Sequence, residues 1–151
     1  MLLRPGTWLG KGSVILQGMS LGETATLEVE VVEHADGLTV TGELSLGEGA
    51  PLEVSVRIVP NEVGTYTVDA FVAGTRLDGV GKLESEPNVS LLWHERELAH
   101  ASATLFRVDG AVGCRGFLRE QETVRIWEIA FKPKQNVVGG SNVVSLSRRR
   151  R

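Results

Sequence analysis

The chain has 151 residues and a formal net charge of −3, with 42% hydrophobic and 23% charged residues. This length predicts one domain that can bury a core without disulfides, and the composition excludes a disordered chain. Four of the sixteen basic residues are the arginines at 148–151, so the rest of the chain is more acidic than the total suggests. Because phosphate binding needs a clustered basic surface, we expect no nucleic-acid partner.

The sequence also carries no sign of a membrane segment or of disulfide chemistry. No apolar run approaches the roughly 18 to 20 residues that a membrane helix needs. Residues 1–5 lack a basic stretch followed by a long apolar one, so we expect no secretory signal, no membrane partner and a cytoplasmic location. The single cysteine, Cys114, fits a small buried residue. Its neighbour Arg115 offers the alternative of a reactive thiol, since a cation favours the thiolate.

Apolar residues recur at a period of two along nearly the whole chain, in segments separated by turn residues, which is typical of antiparallel strands. The first predicted strand carries Trp8 and runs to about Met19. Asp36-Gly37 marks a tight hairpin turn, and the polar run 94–97 indicates another hairpin tip. The alternating positions of the later predicted strands are Leu27, Val29 and Val31; Leu38, Val40, Leu44 and Leu46; Leu52, Val54, Val56 and Ile58; Tyr66, Val68, Ala70 and Val72; Leu77, Gly79, Gly81 and Leu83; Val89, Leu91 and Trp93; Ala99, Ala101, Ala103 and Leu105; Val112, Cys114, Gly116 and Leu118; and Thr123 to Lys132.

About nine or ten strands with short turns and no crossover helices favour an all-β, antiparallel up-and-down β-barrel. A two-sheet β-sandwich is the alternative. The predicted barrel spans residues 1–133, and residues 134–151 form a predicted C-terminal extension with an Arg-rich end and a short strand at 143–146. A homodimer through the last strand and residues 134–147 is compatible with this layout.

Small residues share one face of several predicted strands, while three tryptophans supply large apolar side chains. In the first strand, Gly6, Trp8, Gly10 and Gly12 lie on the same face. Unfilled volume beside tryptophan suits an apolar ligand pocket, and the alternative is tight strand curvature with large residues filling the gaps. The other small inward positions are Gly42, Gly79, Gly81, Ala99, Ala101 and Ala103.

The run Gly6-Thr7-Trp8, followed by Gly10 and Gly12, resembles the N-terminal signature of calycin-type barrels, in particular the nitrobindin and fatty-acid-binding-protein-like branch. The resemblance implies a barrel that binds small apolar or planar ligands. It also implies that the first-strand tryptophan closes one end of the barrel against a cation from the last strand.

Arg125 is the candidate for the late cation, in cation–π contact with the tryptophan. Other features of that branch are absent from this sequence. Haem-binding members carry a late histidine, whereas the last histidine here is His100, so we expect neither haem nor another cofactor. Fatty-acid-binding proteins add a helical lid and a late tyrosine, but the sequence shows no helical pair and its one tyrosine is Tyr66.

These patterns predict a non-enzymatic protein that holds a small hydrophobic or aromatic ligand inside the barrel. The predicted ligand-binding residues are Trp8, Gly10, Gly12, Tyr66, Trp93, His100, Arg125 and Trp127. One alternative is a structural or interaction module with a filled barrel, whose edge or basic tail contacts an acidic partner. Another is a barrel-type isomerase or hydrolase in which His100, Arg125 and Glu128 converge on the cavity.

The sequence contains no recognisable catalytic or metal-binding motif. It has no nucleophile elbow, no phosphate loop and no Cys/His spacing typical of zinc. His94 and His100 flank the predicted hairpin tip, and their spacing differs from the two-histidine helical metalloprotease motif. We therefore predict no catalytic residues and no metal ligands.

Overall fold

The computed structural model describes residues 1–135, which form a closed barrel of ten antiparallel strands without a helix. The strands are β1 (Gly6–Leu16), β2 (Glu23–His34), β3 (Gly37–Leu46), β4 (Leu52–Pro60), β5 (Tyr66–Val72), β6 (Thr75–Lys82), β7 (Asn88–His94), β8 (Ala99–Val108), β9 (Ala111–Glu120) and β10 (Thr123–Pro133). Each strand pairs with its neighbours in sequence, and β1 pairs with β10 to close the ring. The predicted up-and-down barrel is confirmed, and the sandwich alternative is wrong.

One boundary of the predicted layout is changed by the structure, and the predicted C-terminal extension is left untested. The first strand ends at Leu16 rather than near Met19, because the Met19 N–H bonds to the Leu16 carbonyl at 3.0 Å and Gly18 adopts a φ of +88°. Residues 136–151 lie outside the described part, so the predicted strand at 143–146, the arginine run and the dimer contact through 134–147 stay predictions. Within residues 1–135, no helix is long and apolar enough to cross a membrane.

Side chains fill the end of the barrel that contains Trp8, which we call the base. Trp8 is 8% exposed, and its indole Nε1–H donates to the Arg4 carbonyl at 2.8 Å. Leu3 reaches the same core from the segment before β1. The first-strand tryptophan therefore closes one end of the barrel. The other buried members of this cluster are Ala25, Val29, Val31, Val40, Ile58, Val68, Leu83, Val112, Ile129 and Phe131.

A buried amide at the start of β7 ties the N-terminal segment to the base. Asn88 is 3% exposed. Its Oδ1 accepts the Leu2 backbone N–H at 2.7 Å, and its Nδ2 donates to the carbonyls of Leu83 at 3.1 Å and Ser85 at 2.9 Å. All of these groups would lose water on burial, so the asparagine supplies the hydrogen bonds that make the closed base stable.

The inward glycines bring strands or side chains close together rather than leaving empty volume. A Cβ added at Gly12 would overlap the Glu128 carbonyl oxygen, and one added at Gly10 would lie 2.6 Å from the Phe131 ring. The predicted use of Gly10 and Gly12 as ligand space is therefore wrong, and strand curvature is the correct reading at these positions. Overlap with a neighbouring strand's carbonyl recurs at Gly42, Gly79 and Gly116.

Replacing Asn88 with alanine should lower the free energy of unfolding by about 1–3 kcal/mol, because the buried Leu83 carbonyl and the partly buried Leu2 N–H and Ser85 carbonyl would lose their partner. Urea denaturation followed by far-UV circular dichroism measures this change. Thr67, exposed on the outer face of β5, is the control, and Thr67→Ala should change stability by less than about 0.5 kcal/mol. Equal effects of the two substitutions would contradict the role given to Asn88.

Candidate functional site

The half of the barrel away from the base is lined by apolar side chains that face inward and stay partly accessible. We call this space the cup, and its wall includes Val14, Leu44, Leu92, Leu118 and Trp127, all half-buried. Leu92 and Trp127 pack against both buried clusters of the core, which confirms that they face inward. Their partial exposure leaves apolar surface accessible at this end of the barrel, although Leu77, Ala99 and Ala101 in the same half are buried.

Trp127 and Cys114 together form one side of the cup. Trp127 lies opposite Val14 and Gly116, and Cys114 lies opposite Ile129. Burial raises the pKa of the Cys114 thiol, and a hydrogen bond with Trp127 lowers it by a smaller amount. The prediction for Trp127 as a wall of the interior agrees with this placement.

Arg115 does not activate the neighbouring cysteine. Consecutive strand residues point to opposite faces, so Arg115 lies outside the barrel, where its Nη2 donates to Glu128 Oε1 at 3.1 Å. Its guanidinium also sits 5.1 Å from the centre of the Phe106 ring. The alternative of a thiolate stabilised by this arginine is therefore wrong.

Polar side chains gather at the open end of the cup, which we call the mouth. Arg125 Nη1 donates to Glu120 Oε2 at 2.7 Å, and Thr75 Oγ1 donates to Glu120 Oε1 at 2.6 Å. The second bond joins β6 to β9 over the ends of β7 and β8. A hollow of about 380 Å³ opens beside this cluster, between Glu97, Glu120, Gln121, Thr123 and Arg125.

Arg125 does not pair with Trp8 as predicted. Because β1 and β10 run antiparallel, Trp8 lies opposite Pro133, whereas Arg125 lies opposite Leu16. Eight residues of strand separate these two levels, a distance of roughly 26 Å. The cation of the last strand therefore belongs to the mouth, and the tryptophan belongs to the base.

Trp93 and His100 do not line the interior as predicted. They lie opposite each other on β7 and β8, on the outer face, and Trp93 is 45% exposed. The inward pair at this position is Leu92 with Ala101, one residue away on each strand. The predicted inward face of β7 is therefore wrong, because Val89, Leu91 and Trp93 point outward.

The three residues of the enzyme alternative do not converge. His100 and Glu128 lie on the outer face, and Arg125 faces the mouth.

Tyr66, another predicted ligand residue, packs at the base, where its hydroxyl donates to Glu84 at 3.2 Å. Desolvation and the neighbouring Glu84 raise the pKa of Tyr66.

The structure adds site residues that the sequence did not indicate. Leu92, Leu118, Glu120 and Thr75 all contribute to the cup or its mouth. Glu120 stands beside Gln121 at a strand end, so its sequence context indicated only a turn. The signal that was available is the period of two from Cys114, which places Glu120 on the inward face.

No cluster of three or more His, Cys, Asp or Glu side chains within residues 1–135 is arranged to hold a metal ion. His94 Nδ1 accepts the Glu97 backbone N–H at 3.0 Å, which occupies the nitrogen nearest the hairpin tip. His100 points to the opposite face of the sheet, so the two histidines do not face a common point.

Exposed apolar side chains also lie near one another on the outside of the barrel. We call it the outer band, and its most exposed members are Leu91, Trp93, Phe117 and Ile126. Across the sheet, Leu91 on β7 pairs with Ser102 on β8, Ser102 pairs with Phe117 on β9, and Phe117 pairs with Ile126 on β10.

A separate hollow of about 570 Å³ lies beneath the base, beside Arg4, Glu86 and Arg107.

Comparisons with known proteins agree on the barrel and go no further. No family model matches the sequence, and no curated protein matches it significantly. An S-type phycobiliprotein lyase from Guillardia theta has a similar structure, with a TM-score of 0.67 and 10% identity over 87% of this chain and 89% of that one. A variant of the fluorescent protein UnaG has a TM-score of 0.50 and 18% identity over 87% of this chain and 96% of that one. At these identities the two likenesses show the fold alone.

The raised pKa of Cys114 predicts slow alkylation. The rate of modification by iodoacetamide follows the thiolate fraction, so its midpoint should lie at higher pH in the folded protein than in the urea-unfolded chain. Since the folded state holds this proton more tightly, stability should fall as the pH rises through the ordinary thiol pKa towards the raised value. A folded-state midpoint below the unfolded one would contradict the apolar placement.

Proposed function

We propose that this chain is a non-enzymatic binding protein that holds a small apolar or planar ligand in the cup. The ligand's flat face packs against Trp127, with Leu92 and Leu118 beside it. Arg125 and Glu120 lie at the outer end of the ligand. We also propose that the chain belongs to the nitrobindin and fatty-acid-binding-protein-like branch of calycin-type barrels and that it binds neither haem nor another cofactor.

The observation that carries this proposal is a set of apolar side chains that face into the barrel away from the base and stay partly exposed. At the base, inward side chains such as Val29 and Val31 are only 2% exposed. In the cup, Leu92, Leu118 and Trp127 are half-buried, whereas Leu77 and Ala101 of the same half are covered. Apolar surface left accessible inside a closed sheet is typical of a ligand cavity, because covering it with an apolar ligand removes it from water.

The similar barrels support the proposal only through their architecture. One is named a phycobiliprotein lyase and the other a fluorescent protein, so the same fold accommodates more than one function. The ligand class is inferred from the cup itself. Its wall is mainly apolar and aromatic, Ser90 adds one inward hydroxyl, and the charged pair Glu120–Arg125 lies at the mouth.

Titration with the neutral planar dye Nile red tests the proposal. We expect saturable binding with increased dye fluorescence, and protection of Cys114 from N-ethylmaleimide. Leu92→Trp should weaken binding about tenfold or more, because the added ring fills the cup. Leu91→Trp is the matched control, since Leu91 is the adjacent residue on the outer face. Absence of binding, or equal losses in the two variants, would contradict a site in the cup.

A second candidate function, an interaction module, is favoured by the outer band. We propose that its partner is a second copy of this chain, because the surface is complementary to itself in charge. Asp78 on β6 and Arg119 on β9 lie in the same row across the sheet, with Trp93 and His100 between them. A two-fold axis that runs parallel to the strands between β7 and β8 has one of these charges on each side, the same number of strands away. Such an axis brings the two opposite charges together and places apolar side chains between the copies.

Sedimentation velocity at increasing concentration tests this self-association. Phe117→Ser should weaken it about tenfold or more, because it removes an aromatic side chain from the middle of the band. Thr67→Ser on the outer face of β5 is the control and should leave it unchanged. A chain that stays monomeric at millimolar concentration would contradict the second candidate and leave the first unaffected.

A further inference from the structure

Three side chains from three strands form one hydrogen-bonded unit at the mouth. Both oxygens of the Glu120 carboxylate are engaged, one by Thr75 and the other by Arg125. The carboxylate thus bonds to one nitrogen of the Arg125 guanidinium at the rim of the barrel. A ligand held in the cup would have its outer end beside this unit.

The Glu120–Arg125 pair is less exposed than the ion pairs on the outer surface. Its side chains are 43% and 32% exposed for Arg125 and Glu120, whereas those of Arg57 and Asp36 are 58% and 67% exposed. Partial burial reduces screening by water and salt, so the mouth pair resists separation more than a surface pair does.

The charge around the mouth also disfavours a ligand anion. The hollow beside the pair contains two carboxylates, Glu97 and Glu120, and one cation, Arg125. An anionic group that displaced Glu120 from Arg125 would leave that carboxylate half-buried and without its partner. The cost of such an unpaired charge exceeds that of an unpaired neutral group.

We infer that the Glu120–Arg125 pair makes the cup select uncharged planar ligands over anionic ones of the same shape. This inference rests on the proposed function and assigns its ligand class. Glu120 is the specificity-determining residue, because its carboxylate neutralises Arg125 and bonds to the Nη1 that would otherwise bind a ligand carboxylate. Thr75 is a positioning residue that holds the carboxylate in place from β6.

Naphthalene-2-carboxamide and naphthalene-2-carboxylate are nearly identical in shape and differ in charge, so they isolate this selection. Isothermal titration calorimetry at neutral pH should show the carboxamide binding about tenfold tighter than the carboxylate. In Glu120→Gln, Arg125 is released, and the affinity for the carboxylate should rise about tenfold. Affinity for the carboxamide should change less than about threefold, since its contacts are apolar.

Two control variants separate the ion pair from the net charge. Glu97→Gln removes a carboxylate from the same hollow without releasing Arg125, so its carboxylate affinity should change less than about threefold. The double variant Glu120→Gln/Arg125→Gln has the wild-type net charge and no cation in the hollow, so its affinity for the carboxylate should equal that of the wild type. Circular dichroism establishes that each variant is folded.

The outcomes of these titrations distinguish the inferred charge selection from ligand binding in the cup. Equal affinity of the wild type for the two naphthalenes, or an equal gain in Glu97→Gln and Glu120→Gln, would overturn the inference and leave the binding function standing. Failure of both naphthalenes and of Nile red to bind the folded wild type would overturn the proposed function, and the inference with it. If Glu120→Gln does not fold, equal carboxylate affinity of the wild type and the double variant supports the inference, and a loss in the double variant overturns it.

Discussion

Backbone hydrogen bonds between β1 and β10 join the first and last strands, and the interior exists only because of this closure. An open meander of ten strands would leave two unpaired edges and one apolar face exposed to water. Closure requires strongly bent strands, and the chain meets this requirement with glycines where a neighbouring backbone approaches too closely for a Cβ. The Trp8–Gly10–Gly12 stretch is one such bend, with the tryptophan turned into the base.

The two ends of the barrel use polar groups in opposite ways. At the base, a neutral amide is almost fully buried and all its hydrogen-bonding groups are satisfied by the backbone. At the mouth, a charged pair is half-buried and bonded to a hydroxyl. A neutral group tolerates complete burial at lower cost than a charged one, which explains why the amide lies deeper than the ion pair.

The number of strands, their turns and the barrel could be predicted from the sequence, because alternation and turn chemistry are local. The inward face of β7 could not, since Val89, Leu91 and Trp93 alternate with Ser90 and Leu92, and both sets contain large apolar residues. Only pairing with the alanines of β8 decides between them. The position of Arg125 depends likewise on the register between β1 and β10, which hydrogen bonds set over more than a hundred residues of sequence. Among the predicted site residues, Trp127 and Arg125 reach the cup or its mouth, whereas Trp93 and His100 lie outside.

The amide of Asn88 has a kinetic consequence for any molecule held inside. Opening the base would break three hydrogen bonds at once and expose Leu3 and Trp8 to water. At the mouth, by contrast, exchange with solvent requires only that one threonine and one ion pair move aside. The residence time of a bound ligand would then depend on side-chain rearrangement at the mouth, and the strands can stay in place while the ligand dissociates.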